Sequence, residues 1–379
     1  MDKTGFILTG SALLLLMTNL AHSQEEFSGD DNRGRVIHFD PDTSTKLLDN
    51  YKPILNKSAR GLLTSSFTRM VLPSFYIMVF VIGLPANGLA MYNLITKVQR
   101  LPSTIFLMNL AVADLLLSLV LPFKIHYHIL GNNWLFGEAL CRTVTAFFYG
   151  NMYCSVLLLT FISIDRYFAL VHPFLSKRFR DNSFAVGSCC VIWLLVVLAM
   201  LPFLFQRQTY PIHNLNITTC HDVLPKELNT GYFFYYFMCL VVIGFFIPSL
   251  VTIFCYVSII RSLMLEDSKY SKAVRTMVLV LIVFLICFTP SNVTLLVHHS
   301  QFHPTDSNKL YFYYLVCLVL STFNNCLDPF IYYYISEEFR NEVRRILFSK
   351  VKRGEGSRKI LIRTDSSSAS RSVAPLRSV

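Results

Sequence analysis

The chain has 379 residues, of which 53% are hydrophobic and only 15% charged, and its formal net charge is +11. The apolar residues fall in long runs rather than in the every-turn or alternating patterns of a soluble core, which excludes an ordinary water-soluble enzyme or binding domain. The positive charge gathers in short polar connections and calls for a membrane surface, not for nucleic acid.

Residues 1–23 carry a lysine, a short apolar centre and small residues at Ala21 and Ser23, and read as a cleaved signal peptide. Residues 24–69 form a polar tail, expected to be extracellular, that carries Glu25, Glu26, Asp30, Asp31, Asp40, Asp42 and Asp49. Within it, Asn32-Arg33-Gly34-Arg35 runs directly into an apolar cluster, Val36-Ile37-His38-Phe39, that has no core of its own. Seven apolar segments follow, at about 70–96, 104–130, 138–169, 183–205, 231–262, 272–299 and 308–335. Each holds the roughly 20 helical residues that cross a bilayer, so the fold class is an all-α membrane protein, a seven-transmembrane helix bundle spanning 70–335. Lys97 and Arg100, then Lys177, Arg178 and Arg180, then Arg261, Lys269, Lys272 and Arg275 lie in alternate connections, and Arg340, Arg344 and Arg345 follow the last span. Basic connections stay in the cytoplasm, so the protein is expected in the plasma membrane as a multi-pass chain with its N-terminus outside and its C-terminus inside. Residues 336–349 read as a short amphipathic eighth helix on the membrane, with Phe339, Val343 and Leu347 apolar. Residues 350–379 read as a disordered Ser-rich cytoplasmic tail.

Eight of the ten cysteines lie within apolar runs; Cys141 and Cys220 alone fall on the outer side and are expected to form a disulfide. Glycosylation motifs on outer segments mark Asn56 and Asn216, whereas the motif at Asn292 lies inside the sixth span. Polar groups within hydrocarbon are costly and point to function or to a specific partner. Asn87, Asp114, Ser155, Asn324, Asn325 and Asp328 form such a set, read here as a hydrated cluster for an allosteric sodium ion, with a packing-only hydrogen-bond cluster as the alternative. Asp165-Arg166-Tyr167 ends the third span, where an arginine can exchange a local partner for an incoming one. Pro202, Pro248, Pro290 and Pro329 interrupt backbone hydrogen bonding inside spans.

Gly83-Leu84-Pro85-Ala86-Asn87, Leu110-Ala111-Val112-Ala113-Asp114, Cys141, Asp165-Arg166-Tyr167, Trp193, Pro248 with Tyr256, Pro290 and Asp328-Pro329-Phe330-Ile331-Tyr332 occur in order on successive spans. From about residue 70 to 349 the chain resembles a rhodopsin-like (class A) G-protein-coupled receptor, with Asp328 in place of the more usual asparagine and Phe288 in place of the usual tryptophan. Asn216-Ile217-Thr218-Thr219-Cys220-His221-Asp222-Val223-Leu224 resembles the second-loop signature of protease-activated receptors, as do Gly131-Asn132-Asn133-Trp134 and Phe148-Tyr149-Gly150-Asn151-Met152-Tyr153. Leu101-Pro102-Ser103-Thr104 leans towards the type-four receptor and the loop towards type two, leaving the subtype open.

The resemblance implies activation by an extracellular trypsin-like serine protease that cuts the tail after a basic residue and exposes a tethered ligand. Cleavage after Arg35 frees Val36-Ile37-His38-Phe39; cleavage after Arg33, leaving Gly34 first, is the runner-up. Asp222 is the expected partner of the new α-amine, and His221, Leu296, His299 and Tyr314 are implied to line the pocket. On the cytoplasmic side Asp165, Arg166, Tyr167, Tyr256, Phe288, Pro290, Asp328, Pro329 and Tyr332 are implied to switch and to meet heterotrimeric G proteins of the Gq and Rho-coupled types, signalling through phospholipase C and calcium. Receptor kinases and arrestin would act on the serine-rich tail, with membrane lipids around the bundle. No cofactor other than sodium is expected. Two rivals stand beside this reading: a receptor of the same fold for a diffusible nucleotide or peptide, and an ion or proton transporter using Asp114 and Asp328. The transporter should show internal repeats and matched discontinuous helices. Neither is visible, and no nucleophile motif or metal-spaced His/Glu set supports an enzyme.

Overall fold

The computed structural model describes residues 57–96, 101–174, 181–212, 215–222, 232–265, 271–299 and 307–335. Helices dominate because the long apolar runs must satisfy every backbone N–H and C=O internally to sit in lipid. The first span comprises Lys57–Leu63, a π-helical turn Phe67–Val71 and the helix Leu72–Thr96. The second is Pro102–Ile129, the third Gly137–Leu170 and the fourth Asn182–Phe205. The fifth joins Tyr232–Val241, a π-helical turn Val242–Phe246 and Ile247–Leu265. The sixth is Ser271–His299, and the seventh consists of Ser307–Thr322 and Asn324–Ile335. Among the described residues six helical runs are long and apolar enough to cross a membrane, the seventh being divided at Phe323.

Two details differ from the sequence reading. Helix is already present at Lys57, the first described residue, rather than from near Met70, so the first span projects beyond its expected start. The interruptions also fall upstream of prolines rather than at them. In a regular α-helix Pro73 and Pro248 would each clash with the carbonyl four residues earlier, Arg69 and Gly244, and both carbonyls lie within the two π turns, which absorb the misfit. In the seventh span the break at Phe323 follows Ser321 and Thr322, whose hydroxyls bond back to Leu318 O and Val319 O at 2.7 Å and compete with the helix ladder.

The third span is the most enclosed and the fourth the least; Val191, Leu194, Leu195, Val197 and Leu198 on the fourth are over half exposed, as a lipid-facing surface requires. Lipid is as apolar as leucine, so helices here cohere through close packing and polar links of about 0.6 kcal/mol each rather than through apolar burial. Between the fourth and fifth spans, β1 (Thr209–Ile212) and β2 (Ile217–Cys220) pair antiparallel, Thr209 opposite Cys220 and Ile212 opposite Ile217.

Candidate functional site

The hairpin caps one end of the bundle. Cys220 is disulfide-bonded to Cys141 on the third span. Glu138, one helical turn before Cys141, accepts hydrogen bonds from Gln208 N at 2.7 Å and Thr209 N at 2.9 Å, and from the Thr209 hydroxyl, while pairing with Arg142 at 2.6 Å. Trp134 N donates to Thr218 O at 2.7 Å, and Thr218 N to Asn133 Oδ1 at 2.9 Å. Cys141 and Glu138 of the third span, with Asn133 and Trp134 of the connection before it, therefore fix the hairpin that delivers His221 and Asp222. Asn216 is exposed at the turn in left-handed backbone (φ 51°), a conformation asparagine tolerates.

Asp222 is buried beneath this cap, and Tyr127 of the second span donates its hydroxyl to Asp222 Oδ2 at 2.6 Å. His221, in left-handed backbone at φ 68°, turns the other way. Burial, reinforced by the nearby Lys124 ammonium and opposed by Asp222, pushes its imidazole down to about 3, so the ring is neutral at physiological pH. A neutral ring whose Nδ1 lies 2.7 Å from Gln208 Oε1 donates there and accepts at Nε2 from the Tyr149 hydroxyl, 3.1 Å away. Tyr149 in turn meets the Tyr314 hydroxyl, so one directed relay runs from the seventh span through the third to the hairpin. Rings of Phe203 (4.9 Å, stacked on Tyr149), Tyr76 and Phe148 complete an aromatic floor.

Of the residues expected in the pocket, His221, Asp222 and Tyr314 are brought together around Tyr149 and Tyr127, and Leu296 is half-buried in the sixth span against the core. His299 ends the sixth helix; its side chain, like that of Tyr332, lies outside the described residues. Arg33, Gly34, Arg35, Val36, Ile37, His38, Phe39, Asn56, the eighth helix and the serine-rich tail lie outside them too. Tyr76, Lys124, Tyr127, Tyr149 and Gln208 were not among the residues expected in the pocket, although Tyr149 lies in a stretch that carries the family resemblance. Lys124 carried a signal all the same, as a lone ammonium within an apolar span.

The juxtamembrane helix Lys57–Leu63 is part of this end. Asn132 Nδ2 donates to Leu63 O at 2.7 Å, Asn132 Oδ1 meets His128 Nδ1 at 2.7 Å, the Thr68 hydroxyl reaches Leu62 O at 3.1 Å, and Phe67 packs on Phe312 at 4.6 Å.

Midway along the bundle, Asn87 Nδ2 donates to Asn325 Oδ1 at 2.7 Å and to Asn325 O at 2.8 Å. Asn325 Nδ2 donates to Asp114 O at 2.9 Å, and Asn151 Nδ2 to Asp114 Oδ1 at 3.3 Å. Asn324 Nδ2 donates to Asp328 Oδ2 at 2.6 Å, and the Asp114 and Asp328 carboxyls contact each other. Ser155 Oγ, Asn324 Oδ1 and Asp328 Oδ1 are buried with no hydrogen-bond partner in the structure. Among the described residues no cluster of three or more His, Cys, Asp and Glu side chains could hold a metal ion. Tyr153 donates to Asn292 Oδ1 at 3.2 Å, joining the third span to the sixth above Phe288, which packs on Phe284 at 5.5 Å. At the far end, Asp165 is buried, Arg166 half-buried, and the buried Tyr256 hydroxyl bonds Ser163 beside Arg166. Tyr167 meets His172 at 3.0 Å.

A capped aromatic pocket at one end, an amide–carboxyl core and an Asp-Arg-Tyr terminus at the other define a seven-helix receptor, and residues 86–332 match the 7 transmembrane receptor (rhodopsin family). Proteinase-activated receptor 3 of Rattus norvegicus is 44% identical over 75% of this chain and 77% of its own length. Proteinase-activated receptor 4 of Mus musculus is 47% identical over 77% and 74%, and proteinase-activated receptor 2 of Rattus norvegicus 39% identical over 90% and 89%. The chain belongs to the proteinase-activated receptors.

Proposed function

We propose that this multi-pass receptor is switched on by a trypsin-like serine protease that cuts its extracellular tail after Arg35, and that the exposed Val36 α-amine docks on Asp222. The observation that carries the reading is Asp222 itself, a carboxylate buried under a disulfide-pinned cap and ringed by hydroxyls and aromatic faces. Such a site suits an ammonium head followed by apolar side chains. The α-amine, with a reference pKa of about 7.7–8.0, is largely protonated at neutral pH. Because the chain is already helical at Lys57, the tether from Val36 counts at most 21 steps (57 − 36). As a random coil it would span about 23–27 Å, and tethering raises the local ligand concentration to roughly the mM range.

In this reading the capped end faces outside, Asn56 and Asn216 carry glycans, and the Asp165–Tyr167 end faces the cytoplasm. There Arg166, Tyr256 and Tyr332 admit a G-protein α subunit of the Gq or Rho-coupled type, and kinases and arrestin act on the tail. The unpartnered oxygens of Ser155, Asn324 and Asp328 beside Asp114 fit a sodium ion, since hard cations take oxygen ligands and two adjacent carboxyls need a counter-charge. A bound ion would supply that charge and hold the resting helix arrangement.

The test is N-terminal sequencing after brief trypsin exposure, with calcium release in cells expressing wild type, Arg35→Gln, Arg33→Gln and the double variant. Arg35→Gln is expected to abolish both the new Val36 terminus and the response, while a synthetic Val-Ile-His-Phe-Asp peptide still signals. A retained trypsin response in the double variant refutes cleavage here.

A further inference from the structure

Lys124 is an ammonium only 8% exposed within the second span. It lies three residues before Tyr127, on the same helical face, and Tyr127 holds Asp222 Oδ2 at 2.6 Å. Its Nζ sits 5.7 Å from the centroid of Phe148, whose ring meets Tyr76 at 6.0 Å and Tyr149 at 6.3 Å. Tyr149 contacts His221, the chain neighbour of Asp222. Both histidines around this point, His128 and His221, feel the charges of Lys124 and of Asp222 together.

A buried ammonium requires a counter-charge, and the aromatic face of Phe148 alone is a weak substitute. The carboxylates among the described residues are Asp114, Glu138, Asp165, Asp181, Asp222 and Asp328. Glu138 is taken up by Arg142 and the hairpin backbone. Asp114 and Asp328 contact each other in the polar core, and Asp165 and Asp181 lie at the opposite end of the third and fourth spans. Asp222 remains.

We propose that Lys124 is the resident counter-ion of Asp222 in the unliganded receptor, so that an incoming ligand ammonium competes with the Lys124 ammonium for one buried carboxylate. This rests on the amine-docking role of Asp222 given above. Lys124 thereby sets the threshold for activation: ligands without a free amine cannot displace it, and the intact tail, whose Val36 nitrogen is an amide, stays silent.

The test uses the full-length receptor in cells, with surface amount measured by antibody and calcium as readout. Val-Ile-His-Phe-Asp is compared with its N-acetyl form on wild type, Lys124→Met and Lys124→Arg, with Lys124→Gln replacing Met should that variant fail to reach the surface. Removing the competing charge is expected to raise the potency of the free-amine peptide about tenfold, the order of one charged hydrogen bond. The acetylated peptide should gain nothing, and Lys124→Arg should behave as wild type. A loss of free-amine potency in Lys124→Met overturns the proposal, and if that loss disappears with Val-Ile-His-Phe-Asn, Lys124 instead grips the ligand's acid. Equal gains for both peptides overturn it as well. A stability cycle on purified receptor decides the pair independently of agonism: Asp222→Asn should lower the melting temperature and Lys124→Met added to it should restore it, whereas additive losses refute the pairing. If wild type answers neither protease nor peptide, the tethered-ligand function fails while that cycle still decides the pair.

Discussion

Replacing Gly83 by alanine probes the amide core at its tightest point. A Cβ built there would lie 2.5 Å from Asn325 Oδ1 and 3.1 Å from its Cγ, against about 3.4 Å for an ordinary contact. Asn325 cannot simply swing aside: its Oδ1 accepts from Asn87 at 2.7 Å and its Nδ2 donates to Asp114 O at 2.9 Å. A retreat approaching 1 Å stretches both bonds past useful length. At about 0.6 kcal/mol for each lost bond between spans, plus roughly 1–2 kcal/mol for overpacking, the change should destabilise the bundle by about 2–3 kcal/mol. Gly88, five residues further along the same helix, has nothing within 4 Å of an added Cβ, so Gly88→Ala should be neutral or stabilising by up to about 1 kcal/mol. The assay is thermal unfolding of the two detergent-solubilised variants beside wild type. Equal melting temperatures for Gly83→Ala and Gly88→Ala would refute the claim that Asn325 is pinned.

Replacing Cys141 and Cys220 by serine opens a loop of 79 residues and should cost about 4 kcal/mol, read as a lower melting temperature and loss of peptide response. Asn132→Ala removes the anchor on Leu63 O and should cost about 1–2 kcal/mol; protease-triggered signalling should weaken more than signalling by free peptide, because only the former depends on where the tail leaves the bundle. His221 is held neutral by burial, with its folded pKa of about 3 below the unfolded value of about 6.5. The unfolded chain therefore binds the extra proton first, stability falls as pH drops below about 6.5 and goes on falling towards 3, and His221→Gln should flatten that part of the melting curve. Asp114→Asn should remove any sodium dependence of agonist affinity; an unchanged salt response, with sodium compared against choline, would refute the cation reading.

The helical architecture was legible because hydrophobic run length is set by bilayer thickness, and the disulfide because two cysteines alone fell outside the spans. The start of the first span was not legible. Lys57 to Leu63 is neither long nor strongly apolar, and what holds it is tertiary: an amide from Asn132, more than sixty residues away in sequence, and contact with the Ser307–Thr322 helix of the seventh span. The breaks were misplaced for a related reason. Proline announces a lost hydrogen bond, but the carbonyl that must move belongs to the residue four positions earlier, so the distortion surfaces upstream at Arg69 and Gly244. Asp222 could be picked as the acid of a short loop segment, whereas Tyr127, Tyr149 and Gln208 are ordinary residues in sequence and acquire roles only when three spans and a hairpin converge.

The third span gives the pocket and the far end a common element. Along one helix, Tyr149 holds His221 and Tyr314, Asn151 reaches Asp114, Tyr153 reaches Asn292 of the sixth span, the Thr160 hydroxyl lies 3.0 Å from Thr252 of the fifth, and Ser163 meets Tyr256 beside Arg166. All but the His221 contact, which reaches the hairpin, are hydrogen bonds between helices. Gly244 lets the Tyr153 ring approach the π turn of the fifth span, where an added Cβ would sit 2.8 Å from Cδ1. An event at Asp222 or Tyr149 therefore acts on a helix linked by hydrogen bonds to the second, fifth, sixth and seventh spans, and differential binding to two arrangements of those bonds is all that a ligand needs to shift their populations. Tyr153→Phe provides the check. It removes the bond to Asn292 without touching the pocket residues, so peptide affinity should hold while basal signalling rises. Loss of affinity with unchanged basal output would place Tyr153 in ligand contact instead of in the link to the sixth span.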